Sequence, residues 1–149
     1  MGKNSSSILS LKGFDKLLEQ IQEAGGNVDK ATEQAINKSV DVVSQDLRNA
    51  CNSAGVPSSV SSEIKGDRAE WNGNRCSSRV GWKLGTYDPK NPSQGFKAIF
   101  LNYGTPRRKK HGKITARNFI ATAKKASKPK LRKIQKETLD EILKGLPKK

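Results

Sequence analysis

Three features of this 149-residue chain have residue types that could do chemistry: a lone histidine, a pair of cysteines and a dense run of cations. His111 could act as a general base, but a base needs an orienting partner and a sheltered site. It sits instead inside the run Arg107-Arg108-Lys109-Lys110, followed by Gly112 and Lys113, and reads as a solvated loop residue. Cys51 and Cys76 could ligate a metal or attack as thiolates. Two cysteines make neither a disulfide framework nor a zinc site, so they read as reduced, partly buried small hydrophobes. The carboxylates are strewn along helix faces without a pair that stands out. Gly104-Thr105 and Gly112-Lys113 lack the spacing of a phosphate-binding loop. The chain therefore reads as a non-enzyme, with no metal and no cofactor expected.

The cations are unevenly placed. Residues 1–104 hold 13 Lys+Arg against 11 Asp+Glu, whereas residues 105–149 hold 16 against 3, a net +13 out of the chain's +15. Five cations fall within the seven residues 107–113: Arg107, Arg108, Lys109, Lys110 and Lys113. Such a run repels itself and stays solvated unless it meets an anion. It has two readings, a contact with DNA phosphate or an acidic protein ring, and a solvated loop without a partner. Phosphate contacts need only positive charge in reach. The lysines further on (Lys124, Lys125, Lys128, Lys130, Lys133, Lys136) are weaker evidence, because most would lie on an outer helix face in any case. The aromatics Trp71, Trp82, Phe96, Phe100 and Tyr103 could stack on bases. They fall in or beside strand-like segments, which favours core packing.

These residues must be held by a modest core, since apolar residues make up 33% of the chain. Residues 1–10 read as a flexible leader. A first helix is expected over about 13–24, where Phe14, Leu17, Leu18 and Ile21 share a face. The strongest expectation is a long helix over 28–53, capped by Asn27 and stopped by Gly55 and Pro57. Strands are expected at about 60–65, 68–71 and 75–84, the last two joined by Asn72-Gly73-Asn74. Val80, Trp82 and Leu84 alternate, as one face of a half-buried strand does. Residues 96–103 fit a strand or a short helix. Residues 106–115 read as a basic loop. Helix returns at about 115–126, with Pro129 interrupting or restarting it before a last helix at about 130–146. The whole is a single α+β domain, its long N-terminal and C-terminal helices packed on a small antiparallel sheet.

At Tyr103-Gly104-Thr105, followed after the basic run by Ala116-Arg117-Asn118-Phe119-Ile120, the chain resembles the neck and tail-completion proteins of long-tailed, lambdoid-type phages. That family has a long helix, a small sheet, an aromatic-rich segment ending in Gly-Thr and a variable loop. An Ala-Arg-Pro-Phe-Leu-like signature then opens its C-terminal helix. The opening Leu11-Lys12-Gly13-Phe14-Asp15-Lys16-Leu17-Leu18 also looks like the family's start. Two features depart from it: Val56-Pro57-Ser58-Ser59-Val60 stands in place of Asp-Thr-Gly-x-Leu, and Asn118 stands in place of the proline.

The resemblance implies a structural virion protein at the head–tail junction, without catalytic activity. It implies a homo-oligomeric ring, a hexamer or twelve-mer, touching connector, tail-terminator or tail-tube proteins and making non-specific contact with packaged double-stranded DNA. The alternative is a basic nucleic-acid-binding protein using its C-terminal third. Residues 1–12 lack a signal-peptide core and no apolar run approaches the roughly 20 residues of a membrane span. The chain is thus expected to be made in a bacterial host cytoplasm and packaged into a virion, with no membrane partner.

Overall fold

A computed structural model of the chain describes residues 7–9, 14–73, 75–108 and 112–147. Its architecture is α+β, organised around one helix, α2 (Val28–Ser53). Asn27 opens α2 as expected: its side-chain oxygen accepts from the Lys30 amide at 3.1 Å, satisfying an amide the helix leaves unpaired. Gly55, at φ +72°, closes it in the left-handed conformation that glycine tolerates.

The apolar stripe of α2 is wide because both flanks are covered. Against one flank lies β4 (Arg75–Gly81), whose Cys76, Ser78 and Val80 alternate inward. Against the other lies α5 (Phe119–Gly145). Ile36, Val40, Val43, Leu47 and Cys51 of α2 join Val60, Ile64, Val80, Trp82 and Phe119 in one core. A second cluster forms where α1 (Asp15–Glu23) crosses α2 and α5: Phe14, Ile21, Ala31, Ala35 and Leu139.

The sheet is built on β4. Strand β1 (Ser7–Leu9) pairs antiparallel with it, Ile8 opposite Arg79. Strands β2 (Lys65–Gly66) and β3 (Glu70–Asn72) also pair antiparallel with it. Gly66 faces Val80 and Glu70 faces Ser77, so four residue steps oppose three and the ladder carries a bulge. The bulge is fixed by its own hydrogen bonds. Asn37 Oδ1 accepts from the Ala69 amide at 2.9 Å, and the Ser78 hydroxyl donates to the Asp67 carbonyl. Gly66 is where the sheet touches α2: a Cβ there would meet the Val40 side chain.

Several expectations need correction. The strand expected at 60–65 is instead the end of the one-turn helix α3 (Ser58–Ser61), a turn at 62–63 and the first residue of β2; the Trp82 indole donates to the Val60 carbonyl at 2.7 Å and holds that helical turn in the core. Within the expected leader, residues 7–9 form a strand, so the sheet has a member outside the strands expected at 60–84. Of the two readings for 96–103, helix holds: α4 (Gln94–Tyr103) is N-capped by the Ser93 hydroxyl. The C-terminal helix begins at Phe119, not near 115, and runs through Pro129 without a break. Pro129 lies on the exposed face, and α5 is bound to α2 on both sides of it, by Ser127, Lys130 and Gln135. That packing outweighs the one backbone hydrogen bond a proline forfeits.

Candidate functional site

Residues 103–105 and 116–120, singled out in the sequence, meet in space. Helix α4 ends at Tyr103, and Gly104 turns the chain at φ +76°. The turn is tight: a Cβ on Gly104 would lie 2.8 Å from both the Ala116 amide nitrogen and the Ile114 carbonyl oxygen. From there the chain runs out as β5 (Thr105–Arg108) and back as β6 (Gly112–Ile114), which pair antiparallel. The segment expected as a basic loop at 106–115 is therefore a β-hairpin over most of its described length. Thr105 lies opposite Ile114, and its hydroxyl accepts from the Ile114 amide at 3.2 Å.

The returning chain is clamped to the end of α4. The Arg117 amide donates to the Leu101 carbonyl at 3.0 Å and the Asn118 amide to the Asn102 carbonyl at 3.1 Å. These bonds use carbonyls that a helix C-terminus leaves unsatisfied. They also explain why α5 starts late, since residues held against α4 are not free to be helical. Asn118 takes the left-handed conformation at φ 49°, which asparagine adopts more readily than most residues. The buried Asn102 side chain then accepts from the Ile120 amide at 3.0 Å, standing in for an N-cap.

Arg117 reaches further. Its guanidinium donates to the Gly55 carbonyl at 2.8 Å and the Ala54 carbonyl at 3.3 Å, joining the hairpin base to the C-terminus of α2. A cation there also complements the negative end of the helix dipole. Phe119 is buried edge-on against Trp82, ring centroids 6.0 Å apart, and Ile120 is buried beside it. The hairpin thus springs from a base fixed to α2, α4 and the core.

Of the cations expected to face a partner, Arg107 and Arg108 belong to β5 and Lys113 is exposed on β6. Lys109, Lys110 and His111 lie outside the described residues. Tyr103, Gly104, Thr105, Ala116, Arg117, Phe119 and Ile120 all come together at the hairpin base. Tyr103 is exposed there, whereas Trp82 is core.

Sequence reasoning missed a polar seam between α2 and α5. The Asp46 carboxylate, 7% exposed, accepts from the Ser127 hydroxyl at 2.7 Å and the Lys130 ammonium at 2.8 Å. Gln135 donates to the Ser39 hydroxyl at 3.1 Å. A signal was present: Asp46 falls between Val43 and Leu47 on the apolar stripe, where a carboxylate needs a partner. Asn102 was missed too, and nothing in its spacing marks it.

Both cysteines are buried and free. Burial pushes the Cys51 thiol up to about 11. Cys76 is also raised, by burial first and then by the Glu33 and Asp29 charges. A thiol held protonated is a poor nucleophile and a poor ligand. Among the described residues no three His, Cys, Asp or Glu side chains are grouped to hold a metal ion, and no helix is long and apolar enough to cross a membrane. Comparison of the chain with protein-family models, with curated proteins and with solved structures found no match.

Proposed function

We propose that this chain is a structural subunit of a ring at the head–tail junction of a long-tailed phage, joining head to tail around the DNA channel. One observation carries the reading. The two segments that resemble the neck and tail-completion family, 103–105 and 116–120, close on each other at the base of the hairpin. A ring subunit must offer one surface patch to a different patch on its neighbour. A cationic hairpin suits that role when its root is tied to α2 and α4, because the segment that carries the charge then leaves the domain at a fixed point. In this reading the hairpin faces an acidic neighbouring ring or the DNA channel, the chain performs no catalysis, and it resides in the virion after synthesis in the host cytoplasm.

The test is direct imaging. Virions carrying a small peptide tag on this chain, labelled with gold-conjugated antibody, should show label at the neck, and cryo-imaging should resolve a closed ring of six or twelve copies there. Label on the capsid shell or the tail fibres, or no label on intact particles, rejects the reading.

A further inference from the structure

The longest stretch of like charge outside the hairpin lies on α5. Residues 119–136 hold seven Lys and Arg and no Asp or Glu. Lys130 is committed to Asp46 and Lys136 is paired with Asp140 at 3.1 Å. Lys124, Lys125, Lys128 and Lys133 are exposed and form no ion pair among the described residues. At 100° per residue, Lys125, Lys128, Arg132 and Lys136 follow one another at steps of three and four and share a face, with Lys124 on one edge of it and Lys133 on the other. From Lys124 to Lys136 the ridge runs about 18 Å, at a rise of ~1.5 Å per residue.

The ridge is held in one orientation. Ser127 and Lys130 on Asp46, and Gln135 on Ser39, fix the rotation of α5 on α2. The opposite, lysine-bearing face is thereby turned to solvent.

What surrounds the lysines identifies the partner. Every exposed residue of α5 between Ala121 and Glu137 is Ala, Thr, Pro, Lys, Arg or Glu. Protein interfaces are depleted in lysine and anchored by aromatic residues, Met and Arg in desolvated pockets. This face offers no aromatic and no large aliphatic anchor. Single-stranded nucleic acid needs stacking platforms, and none is exposed on α5. Base reading in a duplex uses Arg or Lys on guanine and Asn or Gln on adenine; the exposed set contains neither Asn nor Gln, and contacts of its cations with phosphate carry no sequence information. Small residues between point charges instead allow close approach to a surface that is uniformly anionic. Duplex DNA presents one charge per ~1.7 Å of axis, or roughly ten phosphates along an 18 Å ridge.

We propose that the exposed face of α5 binds the phosphate backbone of double-stranded DNA without sequence preference, through Lys124, Lys125, Lys128 and Lys133. A single subunit carries the whole ridge, so the inference does not rest on ring assembly.

The experiment uses the full-length chain and short fluorescein-labelled duplexes of two unrelated sequences, with binding followed by anisotropy across a salt series. Both duplexes are expected to bind equally, with log affinity falling steeply in log salt. Changing Lys124, Lys125, Lys128 and Lys133 together to Gln should reduce that slope by roughly 0.9 for each phosphate neutralised by a lysine, about 3 to 4 in all. The same four positions changed to Arg should keep it. Exposed substitutions leave the melting temperature near wild type. Should the quadruple Gln variant melt early, Lys125→Gln and Lys128→Gln alone, each lowering the slope by roughly 0.9, carry the test. An unchanged slope, or no binding by the wild type at low salt, overturns the proposal. So does displacement of the duplex by polyglutamate at equal charge, which would make the face a site for an acidic protein. The oligomeric mass of the same sample reports on the ring separately, so either proposal can fail without the other.

Discussion

Across the α2–α5 interface the Ser127 hydroxyl donates to the Asp46 carboxylate at 2.7 Å, and both side chains are buried. The Lys130 ammonium approaches the other carboxylate oxygen from the solvent side. Lys130 is about half exposed, so the ion pair itself contributes little. The buried hydrogen bond matters more, because an orphaned buried polar group costs about 1–3 kcal/mol. Ser127→Ala and Asp46→Ala are each expected to lower stability by about that much. The double variant should lose less than the sum, by roughly 1 kcal/mol, since both single changes remove the same Ser127–Asp46 hydrogen bond. Urea denaturation of the four proteins measures this. Strict additivity would show that the two groups are independent.

The core around α2 makes a simpler demand. Ile36 is fully buried among Val40, Val80 and their neighbours. Ile36→Asp places a carboxylate there without a partner, at a cost of several kcal/mol. Set against a total stability of about 5–15 kcal/mol, that is expected to unfold the domain. A cooperative melt at the wild-type temperature would contradict it.

What the sequence made legible followed from local periodicity. The residues of α2 could be read to their ends because the apolar stripe, the Asn27 cap and the Gly55 stop all agree. The β3–β4 hairpin was legible for the same reason, with Gly73 at φ +64° in its turn, but β3 runs 70–72 rather than 68–71, and β4 stops at Gly81, leaving Trp82 and Leu84 of the expected 75–84 strand outside it. The errors lie where a distant contact overrides local preference. Val60 reads as strand, yet the Trp82 indole holds its carbonyl in a helical turn. Residues 115–118 read as helix, yet the Arg117 and Asn118 amides are taken by the end of α4. Pro129 reads as a break, yet Asp46 and Ser39 bind α5 on either side of it. Within the candidate site the motif residues could be named, but their closure around Asn102 could not, because it joins residues 18 apart through one buried side chain.

Two glycines of the hairpin separate backbone strain from crowding. Gly104 and Gly112 have similar angles, φ +76° and +69°, but a Cβ on Gly104 would strike the backbone at Ile114 and Ala116, while one on Gly112 would meet nothing within 4 Å among the described residues. Either change to Ala incurs the left-handed penalty of about 1–2 kcal/mol. Gly104→Ala must also push β6 away from α4, and is expected to cost about 3 kcal/mol or more. Thermal melts of the two variants compare them. Equal losses would mean that the turn at Gly104 is not held against Ala116.

Cys51 links stability to alkaline pH. Its thiol is raised by burial from 9.0 to about 11, so the native state holds that proton more tightly than the unfolded chain does. The stability this contributes is complete below pH 9 and is lost as pH climbs from 9 towards 11. The wild type should therefore lose on the order of 2 kcal/mol more than Cys51→Ala across that window. At pH 8 an aromatic disulfide reagent should leave Cys51 unmodified until denaturant is added. Rapid native labelling of Cys51, mapped by mass spectrometry, would argue against its burial.

In the proposed neck role the charge of the hairpin would act at long range and its base by geometry, and the two can be separated. Long-range attraction between a cationic hairpin and an acidic ring or DNA speeds encounter more than it fixes register. Register belongs to the base, where Arg117, Asn118 and Asn102 hold the hairpin to α4 and α2. Changing Arg107, Arg108, Lys109 and Lys110 together to Ser removes charge and leaves the base untouched. The melting temperature should stay near wild type, as expected on removing charge from a run that repels itself. Joining of heads to tails should slow or fail, and raising the salt should weaken wild-type joining toward the variant's level, because screening removes the same attraction. Arg117→Ala is the complementary change. It keeps all four of those cations, removes the bonds to Ala54 and Gly55, and should impair joining at every salt concentration. Complementation of a phage lacking this chain, with free heads, free tails and complete particles counted by electron microscopy, reads out both. Normal yields from the quadruple variant at low and high salt would reduce the hairpin charge to a solvated surface.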